Sequence, residues 1–369
     1  MNSMAIDRRS LLLGSALVLC ARSCALAGVA SEGGEAALVS ACRRPDGRYA
    51  LVLLSMDGRI LREIALSDRG HDIAVDRGRG RAVAFSRRPG TFAVAFKTDG
   101  SGEPNVFAAR EDRTFSGHGI FSRDGRVLYA TENDNETGDG LLGIYDAGSW
   151  RRIGEMATHG IDPHEVILLA DGTTLAVANG GIEMSGREKL NIAAMEPSLV
   201  FLDGTSGEVK AQHRLPLHLN QLSIRHIAAD AYGQVWFGGQ WEGALEASPE
   251  LIGCASVDRA LRLIETPKPM GTALKGYIGS VAISGDGQVL AAAAPRAGRT
   301  LFIDTARGGI VAETQLPDGC GIAGVSAHAF ALSSGHGDLV REEPGRDPAM
   351  SVKLAGTEFD NHLRLVAKI

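Results

Sequence analysis

A short phrase that recurs seven times constrains the fold of this chain more than any other feature. Its clearest copy is HGIDPHEVILLADGTTLAVANG at residues 159–180, where Asp171-Gly172 separates two short apolar runs. Asp-Gly between two such runs predicts a β-hairpin, because the tight turn needs residues that tolerate positive φ. The copies centre on positions 71, 118, 164, 226, 280, 322 and 362, at intervals of 40 to 62 residues. Several short strands per repeat of this length are typical of a β-propeller.

The intervals and the chain ends predict the number of blades. The interval after His118 holds four strand-like runs, at 118–122, 126–132, 141–146 and 151–156. Residues 36–66 hold three runs without an inner strand, and residues 362–369 offer one strand with nothing after it. We therefore predict an all-β, seven-bladed β-propeller closed by N- and C-terminal strands that share one blade, which removes free sheet edges. A two-sheet sandwich would not explain the long period.

The first 27 residues have the composition of an export signal. Arg8-Arg9 precedes the apolar run 11–19, and Ala25-Leu26-Ala27 provides small residues for cleavage. This pattern predicts a twin-arginine signal peptide at 1–27, a linker at 28–35 and the propeller at 36–369. A membrane anchor with a chance basic pair is the alternative, but the run is short for a bilayer span. We expect a periplasmic protein without a membrane span in the mature chain.

Composition adds two limits. The net charge of −6 gives no reason to expect nucleic acid as a partner. Beyond residue 27 the cysteines are Cys42, Cys254 and Cys320, an odd number that allows at most one disulfide. Since no CxxC pair is present, we do not expect a cysteine-based zinc or redox site.

Five histidines stand at the same place in the repeat, at the entrance to the predicted innermost strand: His71, His118, His164, His226 and His362. Innermost strands line the central channel, so the repeat predicts that these imidazoles surround one mouth of it. Imidazole is the commonest metal ligand and suits transition metals such as iron or copper. Secondary candidates for the same mouth are His159, Asp162, Glu165, Arg225, Asp318 and Asp360.

Two other interpretations of the histidines stay open. A Gly-His dipeptide before an inner strand can be structural, with the imidazole tying a blade together through hydrogen bonds. A catalytic role is the other, with His164 and Glu165 as an acid–base pair. Separately, an insertion at 181–197 is predicted between the second and third strands of one blade, with Arg187, Asn191 and Met195 as candidate interaction residues.

Several motifs together resemble a known family of exported bacterial propellers. They are GHGIFS at 117–122, DPHE at 162–165, GREKLN at 186–191 with MEPSL at 195–199, SIRH at 223–226, QWEG at 240–243, GYIGS at 276–280 and DNHL at 360–363. The resemblance is to the family catalogued as domain of unknown function 1513, with a more distant similarity to YVTN-type and quinoprotein propellers. It implies a twin-arginine-exported periplasmic protein of a kind often encoded beside imelysin-like iron-uptake proteins, and it supplies no catalytic residues.

These observations predict a periplasmic binding or assembly protein linked to the uptake of iron or another transition metal, with a histidine-lined channel mouth as the metal or ligand site. A propeller enzyme of lactonase-like or oxidoreductase type, using the same mouth, is one alternative. A pure protein-interaction scaffold that uses the 181–197 insertion is the other.

Overall fold

The structure is a computed structural model, which describes residues 37–185 and 188–366. It contains seven four-stranded antiparallel sheets, so the prediction of a seven-bladed propeller is confirmed. The predicted signal peptide, the linker and Arg187 lie outside the described residues. Among the described residues, no helix is long and apolar enough to cross a bilayer.

The chain enters the ring through three strands of the shared blade and then builds three complete blades. The shared blade begins with β1 (Leu38–Arg43), β2 (Tyr49–Leu54) and β3 (Ile60–Leu66). Blade 1 comprises β4 (Gly70–Asp76), β5 (Arg81–Ser86), β6 (Phe92–Lys97) and β7 (Asn105–Ala108). Blade 2 comprises β8 (Arg113–Phe121), β9 (Val127–Asp134), β10 (Asp139–Asp146) and β11 (Arg152–Ile161). Blade 3 comprises β12 (Pro163–Leu168), β13 (Thr174–Asn179), β16 (Ser198–Asp203) and β17 (Val209–Arg214), with the insertion hairpin β14 (Met184–Ser185) and β15 (Glu188–Lys189) between β13 and β16.

The second half of the ring repeats the plan. Blade 4 comprises β18 (Leu222–Ala229), β19 (Val235–Trp241), β20 (Ile252–Ala255) and β21 (Arg262–Leu263), and is followed by helix α1 (Lys268–Ala273). Blade 5 comprises β22 (Ser280–Ile283), β23 (Val289–Ala294), β24 (Arg299–Asp304) and β25 (Ile310–Gln315). Blade 6 comprises β26 (Gly319–Gly324), β27 (Phe330–Ser334), β28 (Asp338–Glu342) and β29 (Met350–Lys353). Short 3-10 helices lie at Ile192–Ala194, Leu217–Leu219, Leu245–Ala247 and Pro295–Ala297.

The two ends of the described chain meet in blade 7, as predicted. The last strand, β30 (Glu358–Leu365), is the inner strand of this blade and pairs with β1, placing Leu363 opposite Ser40. The Ser40 hydroxyl donates a 2.6 Å hydrogen bond to the backbone carbonyl of His362. Closure is therefore non-covalent and depends on one strand pair.

The core is divided among the seven interfaces between neighbouring blades. Each interface has its own cluster of buried Leu, Val, Ile, Ala and Phe side chains. Between blades 2 and 3, for example, Tyr129 and Leu142 pack with Val166, Val177 and Val200. Each such side chain contributes roughly 1.5–3 kcal/mol when fully buried. The blades are thus held in a ring by apolar packing on both faces of every sheet.

The hairpins use the turn chemistry that the sequence indicates. At the β12–β13 turn, Gly172 has a φ of 74°, which a residue with a Cβ adopts only with strain. The Asp171 carboxylate accepts hydrogen bonds from the backbone N–H groups of Thr173 (2.9 Å) and Thr174 (2.8 Å). These contacts fix the length and register of the hairpin, and so fix which side chains face the channel.

Six of the seven inner strands have a register irregularity at nearly the same level. The affected segments are Gly70–Ile73, Phe115–Gly119, Pro163–Glu165, Ile224–His226, Gly319–Gly321 and the part of β30 opposite Ser40–Cys42. A bulge breaks the strict alternation of side chains and re-aims them. Successive residues of one inner strand can therefore both reach the channel.

Candidate metal centre

The five histidines singled out by the repeat lie together inside the channel. They come from five consecutive blades of the ring, blades 7, 1, 2, 3 and 4, and none is more than 5% exposed. The ring of His118 is central: its centroid lies 4.9, 4.9, 5.7 and 4.8 Å from those of His71, His164, His226 and His362. Further close contacts join His71 to His362 at 4.7 Å and His164 to His226 at 4.8 Å. The cluster is buried within the protein and is not an open mouth.

Gly117 allows this crowding. Its φ of 102° is unfavourable for any residue with a side chain, and a Cβ here would lie 2.7 Å from Cδ2 of His71. The irregularity of β8 spans this glycine. A residue without a side chain at 117 therefore lets His118 lie directly against His71.

Carboxylates from neighbouring blades orient three of the imidazoles. Nδ1 of His71 in blade 1 lies 3.0 Å from Oδ1 of Asp360 in blade 7, and Nδ1 of His118 in blade 2 lies 2.9 Å from Oδ2 of Asp72 in blade 1. Nδ1 of His226 lies 3.4 Å from Oε2 of Glu165 in blade 3, an electrostatic contact without hydrogen-bond geometry. In each pair the histidine contacts an acid from the preceding blade. His71 and His118 do form hydrogen bonds, as the structural interpretation expects, but these bonds join two blades instead of tying one blade to itself.

Arg364 is the counter-ion of this carboxylate layer. Its Nε and Nη2 atoms bind the two oxygens of Asp72 at 2.7 Å each, and Nη2 also lies 2.9 Å from Oε1 of Glu165. Glu165 additionally accepts a 3.1 Å hydrogen bond from the backbone N–H of Ile227. One guanidinium thus serves two carboxylates, which leaves this layer with a net charge of −1 when both acids are ionised.

Burial decides the charge state of the imidazoles. It lowers the pKa of His71 to about 4, although the hydrogen bond to Asp360 opposes the shift. It also lowers the pKa of His164 and His362 well below the usual range, and it lowers the pKa of His226. These four rings are therefore neutral at pH 7, which is the form that binds metal.

The acids shift in the direction that keeps them ionised. Burial by itself raises the pKa of Asp72, but the charge of Arg364, followed by the interactions with His362 and His118, outweighs it and holds the pKa well below its usual range. Burial likewise opposes the ionisation of Glu165, whose pKa is nevertheless lowered by His118, His226 and Arg364. The pKa of Asp360 is lowered against its burial, first by the hydrogen bond from His71.

The donor atoms of the cluster fit a transition metal ion. Three sets have ligand atoms that all lie within 4.8 Å of one another: His71–His118–His362, His118–His164–His226 and Asp72–His118–Glu165. Two nitrogens bound to one ion at about 2.0–2.1 Å are at most about 4.2 Å apart, so small side-chain shifts close each set around an ion. Nε2 of His118, both ring nitrogens of His164 and Nε2 of His362 are buried without a hydrogen-bond partner within residues 37–185 and 188–366. Leaving such an atom unsatisfied costs about 1–3 kcal/mol, which coordination would recover.

The secondary candidates divide into three groups. Asp360 and Glu165 belong to the cluster, as described above. Asp162 and Arg225 are buried next to it, where Asp162 pairs with Arg88 and Arg225 lies 3.3 Å from Glu242. His159 and Asp318 are exposed; Gln212 donates a hydrogen bond to the backbone carbonyl of His159.

Two expectations about single residues differ from the structure. Glu165 contacts Arg364 and His226, whereas the ring nitrogens of His164 have no partner, so the proposed acid–base pair of these two residues is not formed. Met195 is only 2% exposed, and the Asn191 amide bonds to the backbone of Glu183 and Gly181 within the insertion. An apolar side chain fills the base of this loop, so Met195 does not face a partner as the interaction-loop interpretation required.

The sequence interpretation missed Asp72, Arg364 and Arg88. Arg364 follows His362 by two residues on one strand, so strand alternation was a usable signal for it. Asp72 directly follows His71 and would face away on a regular strand; the irregularity at Gly70–Ile73 turns it inward. Arg88 lies on a loop of blade 1 and meets Asp162 from blade 3, a contact that no local pattern indicates.

A cavity of about 370 Å³ opens next to the carboxylate layer. Asp72, Glu165 and Arg364 line it, together with apolar residues of β4, β8 and β12 such as Ile73, Ile120 and Val166. The Arg364 side chain is 26% exposed, while Asp72 and Glu165 behind it are almost fully buried. Of these three charged side chains, Arg364 is the one that reaches solvent in this cavity.

The fold and the cluster define a class: a seven-bladed propeller with five imidazoles packed on its axis. The chain belongs to the family described as "Protein of unknown function (DUF1513)", which matches residues 64–366. A comparison with curated protein sequences found no significant match.

Among solved structures, the chain is similar to hydrazine synthase from Kuenenia stuttgartiensis. The TM-score is 0.62 and the identity 14%, with coverage of 87% of this chain and 98% of that one. It is also similar to a chain of the mitotic checkpoint complex, with a TM-score of 0.57, 12% identity and coverage of 78% and 80%. At these identities the similarities show the fold alone.

Proposed function

We propose that this propeller binds a transition metal ion in the channel cluster of His71, His118, His164, His226 and His362. One observation carries the proposal: five buried imidazoles touch one another, and several of their nitrogens have no hydrogen-bond partner. Ordinary packing does not favour this arrangement, because each unsatisfied buried nitrogen costs free energy. A bound cation would satisfy them together.

The surroundings support a metal site in two further ways. Nδ1 of His71 and of His118 each contact a carboxylate, which leaves Nε2 of these rings for coordination. Such a carboxylate behind a histidine orients the ring and raises its basicity as a ligand. The layer of Asp72, Glu165 and Arg364 also retains a net negative charge, which favours a cation nearby.

The biological setting that we propose is the periplasm, where the protein would bind iron or another transition metal as part of metal uptake. The basis is the twin-arginine pattern in residues 1–27 and the resemblance to exported propellers that accompany imelysin-like proteins. Export of a folded chain would allow the ion to be selected before or after translocation. Cell fractionation and N-terminal sequencing test this setting, with a mature chain that begins near residue 28 expected. Imelysin-like iron-uptake proteins are the partners we propose, and they should co-purify from the same fraction.

Elemental analysis of protein purified from its native compartment tests metal binding. Wild type should carry roughly one ion per chain, and the element found would identify the metal. The double substitution His118→Ala with His164→Ala should remove it, because these residues share one candidate ligand set and His118 belongs to all three. The matched control is His159→Ala with His328→Ala, which removes two exposed imidazoles away from the cluster. Unchanged metal content in the cluster variant, with a native circular dichroism spectrum, would refute the proposal.

A further inference from the structure

The end of the channel from which the inner strands start is unusually rich in arginine. We define the arginine mouth as Arg69, Arg87, Arg88 and Arg225, together with Tyr277. Arg69 precedes β4, Arg87 and Arg88 lie between β5 and β6, Arg225 is on β18, and Tyr277 precedes β22. Asp360 and Asn361 are adjacent on β30; Asp360 contacts Arg69 at 2.5 Å, and Asn361 donates a 2.9 Å hydrogen bond to the hydroxyl of Tyr277. Residues from blades 1, 4 and 5 thus converge at one end of the ring.

The carboxylates at this end are shared and do not balance the cations. Asp360 accepts a 2.5 Å hydrogen bond from Arg69 but also binds His71. Glu242 contacts Arg225 at 3.3 Å and Lys189 at 2.6 Å. Asp162 pairs with Arg88, and the exposed Asp318 lines a neighbouring cavity together with Arg69 and Asp360.

Arg87 has no carboxylate of its own. It forms no ion pair within the described part of the chain, and its side chain is exposed. Desolvation is the largest cause that lowers the pKa of Arg87, followed by the charge of Arg69, while the charge of Asp360 opposes both. The mouth therefore retains a positive field that favours an anion.

Unsatisfied polar atoms lie beneath this surface. Within the described residues, Nε of Arg225 and Oγ of Ser223, which can both donate to an anion, are buried without a hydrogen-bond partner. Oδ2 of Asp162 is also unpaired there, but a carboxylate oxygen only accepts hydrogen bonds and does not contribute to anion binding. The Tyr277 hydroxyl accepts a 2.9 Å hydrogen bond from Asn361, so its own proton remains available to a ligand.

We propose that the arginine mouth binds a small polycarboxylate anion directly above the histidine cluster. Each guanidinium has five N–H donors, and the contacts to Asp360, Asp162 and Glu242 use only some of them. Forked guanidinium donors match the geometry of carboxylate oxygens. The cations are spread over blades 1 and 4, on different sides of the channel, which suits a ligand with several carboxylates better than a single phosphate.

The position of the mouth connects this anion to metal binding, and this step rests on the proposed function. Arg225 directly precedes His226, and Asp360 contacts both Arg69 and His71. Polycarboxylates bind iron and similar ions through oxygen atoms. A metal–polycarboxylate complex held by the arginines would thus present its ion to the imidazoles.

Titration calorimetry of metal-free protein with citrate as the probe tests the anion site separately from the metal site. Wild type should bind citrate more tightly than phosphate or acetate, and salt should weaken binding. Arg87→Gln should weaken citrate binding about tenfold or more, because it removes charge-assisted hydrogen bonds without breaking an ion pair of the fold. Arg126→Gln is the matched control, since the Arg126 side chain is 86% exposed and, among the residues the structure describes, pairs only with Asp124 on the β8–β9 turn.

Three results would overturn the inference: no citrate binding by folded wild type, equal binding by the two arginine variants, or phosphate binding as tight as citrate binding. The last result would indicate a general oxyanion site. A wild-type protein that binds citrate but carries no metal would instead refute the proposed metal function and leave the anion site standing.

Discussion

Asp72 of blade 1 accepts a 2.9 Å hydrogen bond from Nδ1 of His118 in blade 2. The same carboxylate is held by two 2.7 Å hydrogen bonds from Arg364, which lies on the strand that closes the ring. Asp72 thus links the central imidazole of the cluster to the last strand of the chain. The orientation of His118 depends on a residue 46 positions before it and on another near the C-terminus.

Asp72→Asn should weaken metal binding by about 10- to 100-fold, the usual effect of removing a carboxylate behind a ligand histidine. The amide cannot stabilise a cationic site, and it leaves Arg364 with Glu165 alone. Metal titration of purified protein, with a competing chelator, measures the change. Asp76→Asn is the matched control, because Asp76 lies on the same strand and pairs with Arg79 and Arg81, away from the cluster. Equal affinities for the two variants would contradict the orienting role of Asp72.

Gly117→Ala should damage both the fold and the cluster. The substitution places a residue with a side chain at a backbone φ of 102°, and its Cβ would lie 2.7 Å from Cδ2 of the His71 ring. Left-handed strain alone costs on the order of 1–2 kcal/mol, and the clash adds to it. Urea unfolding and metal titration should show a loss of stability and weaker metal binding.

Gly138→Ala is the control for that experiment. Gly138 also has a positive φ, of 77°, but nothing lies within 4 Å of its Cβ position. This variant should lose free energy of unfolding because alanine is strained at positive φ, and it should keep the metal affinity of the wild type. If both variants bound metal like wild type, close packing of His118 on His71 would not be needed for the site.

The repeat predicted the blades and the closing strand because both follow from local patterns. Hydrophobic alternation, Asp-Gly turns and an unpaired strand at each end determine which segments pair. The repeat also selected the five histidines, since equivalent positions of a propeller meet at its axis. It did not select Asp72, because a register irregularity turns that side chain toward the channel against the alternation. The contact of Arg88 with Asp162 depends on loops of separate blades, and sequence spacing carries no information about it.

Acidification should destabilise the metal-free protein between pH 7.5 and pH 5. An unfolded histidine takes up a proton below about 6.5, whereas burial keeps the pKa of His71 at about 4 and also lowers those of His164, His226 and His362. The unfolded state then binds more protons, so the free energy of unfolding falls as pH falls. Each ring that stays neutral at pH 5 costs about 2 kcal/mol there, at about 1.4 kcal/mol per pKa unit.

Urea unfolding at the two pH values measures this effect. His164→Gln should make the free energy of unfolding less dependent on pH, because it removes one buried ring whose nitrogens have no hydrogen-bond partner among the described residues. His159→Gln should leave it unchanged, because that side chain is solvated in both states. The buried acids Asp72, Glu165 and Asp360 have lowered pKa values, so their contribution to the free energy of unfolding is lost only below about pH 4.5. They therefore do not change stability between pH 7.5 and pH 5. A stability that is the same at both pH values would contradict the burial of neutral imidazoles.

Leu363→Ala should show how much the fold depends on ring closure. Leu363 on β30 is 1% exposed, pairs opposite Ser40 of β1 and packs in the cluster between blades 6 and 7. Truncating a buried leucine costs about 2–5 kcal/mol, and here the loss falls on the one strand pair that joins the chain ends. Urea unfolding should therefore show this loss, and the amides of β1 should exchange with solvent faster. Leu217→Ala, at a position 86% exposed, should change stability by less than about 0.5 kcal/mol. If the two leucine variants were equally stable, packing of β30 would not stabilise the closed ring. The position of His362 next to the other imidazoles would then not depend on this packing.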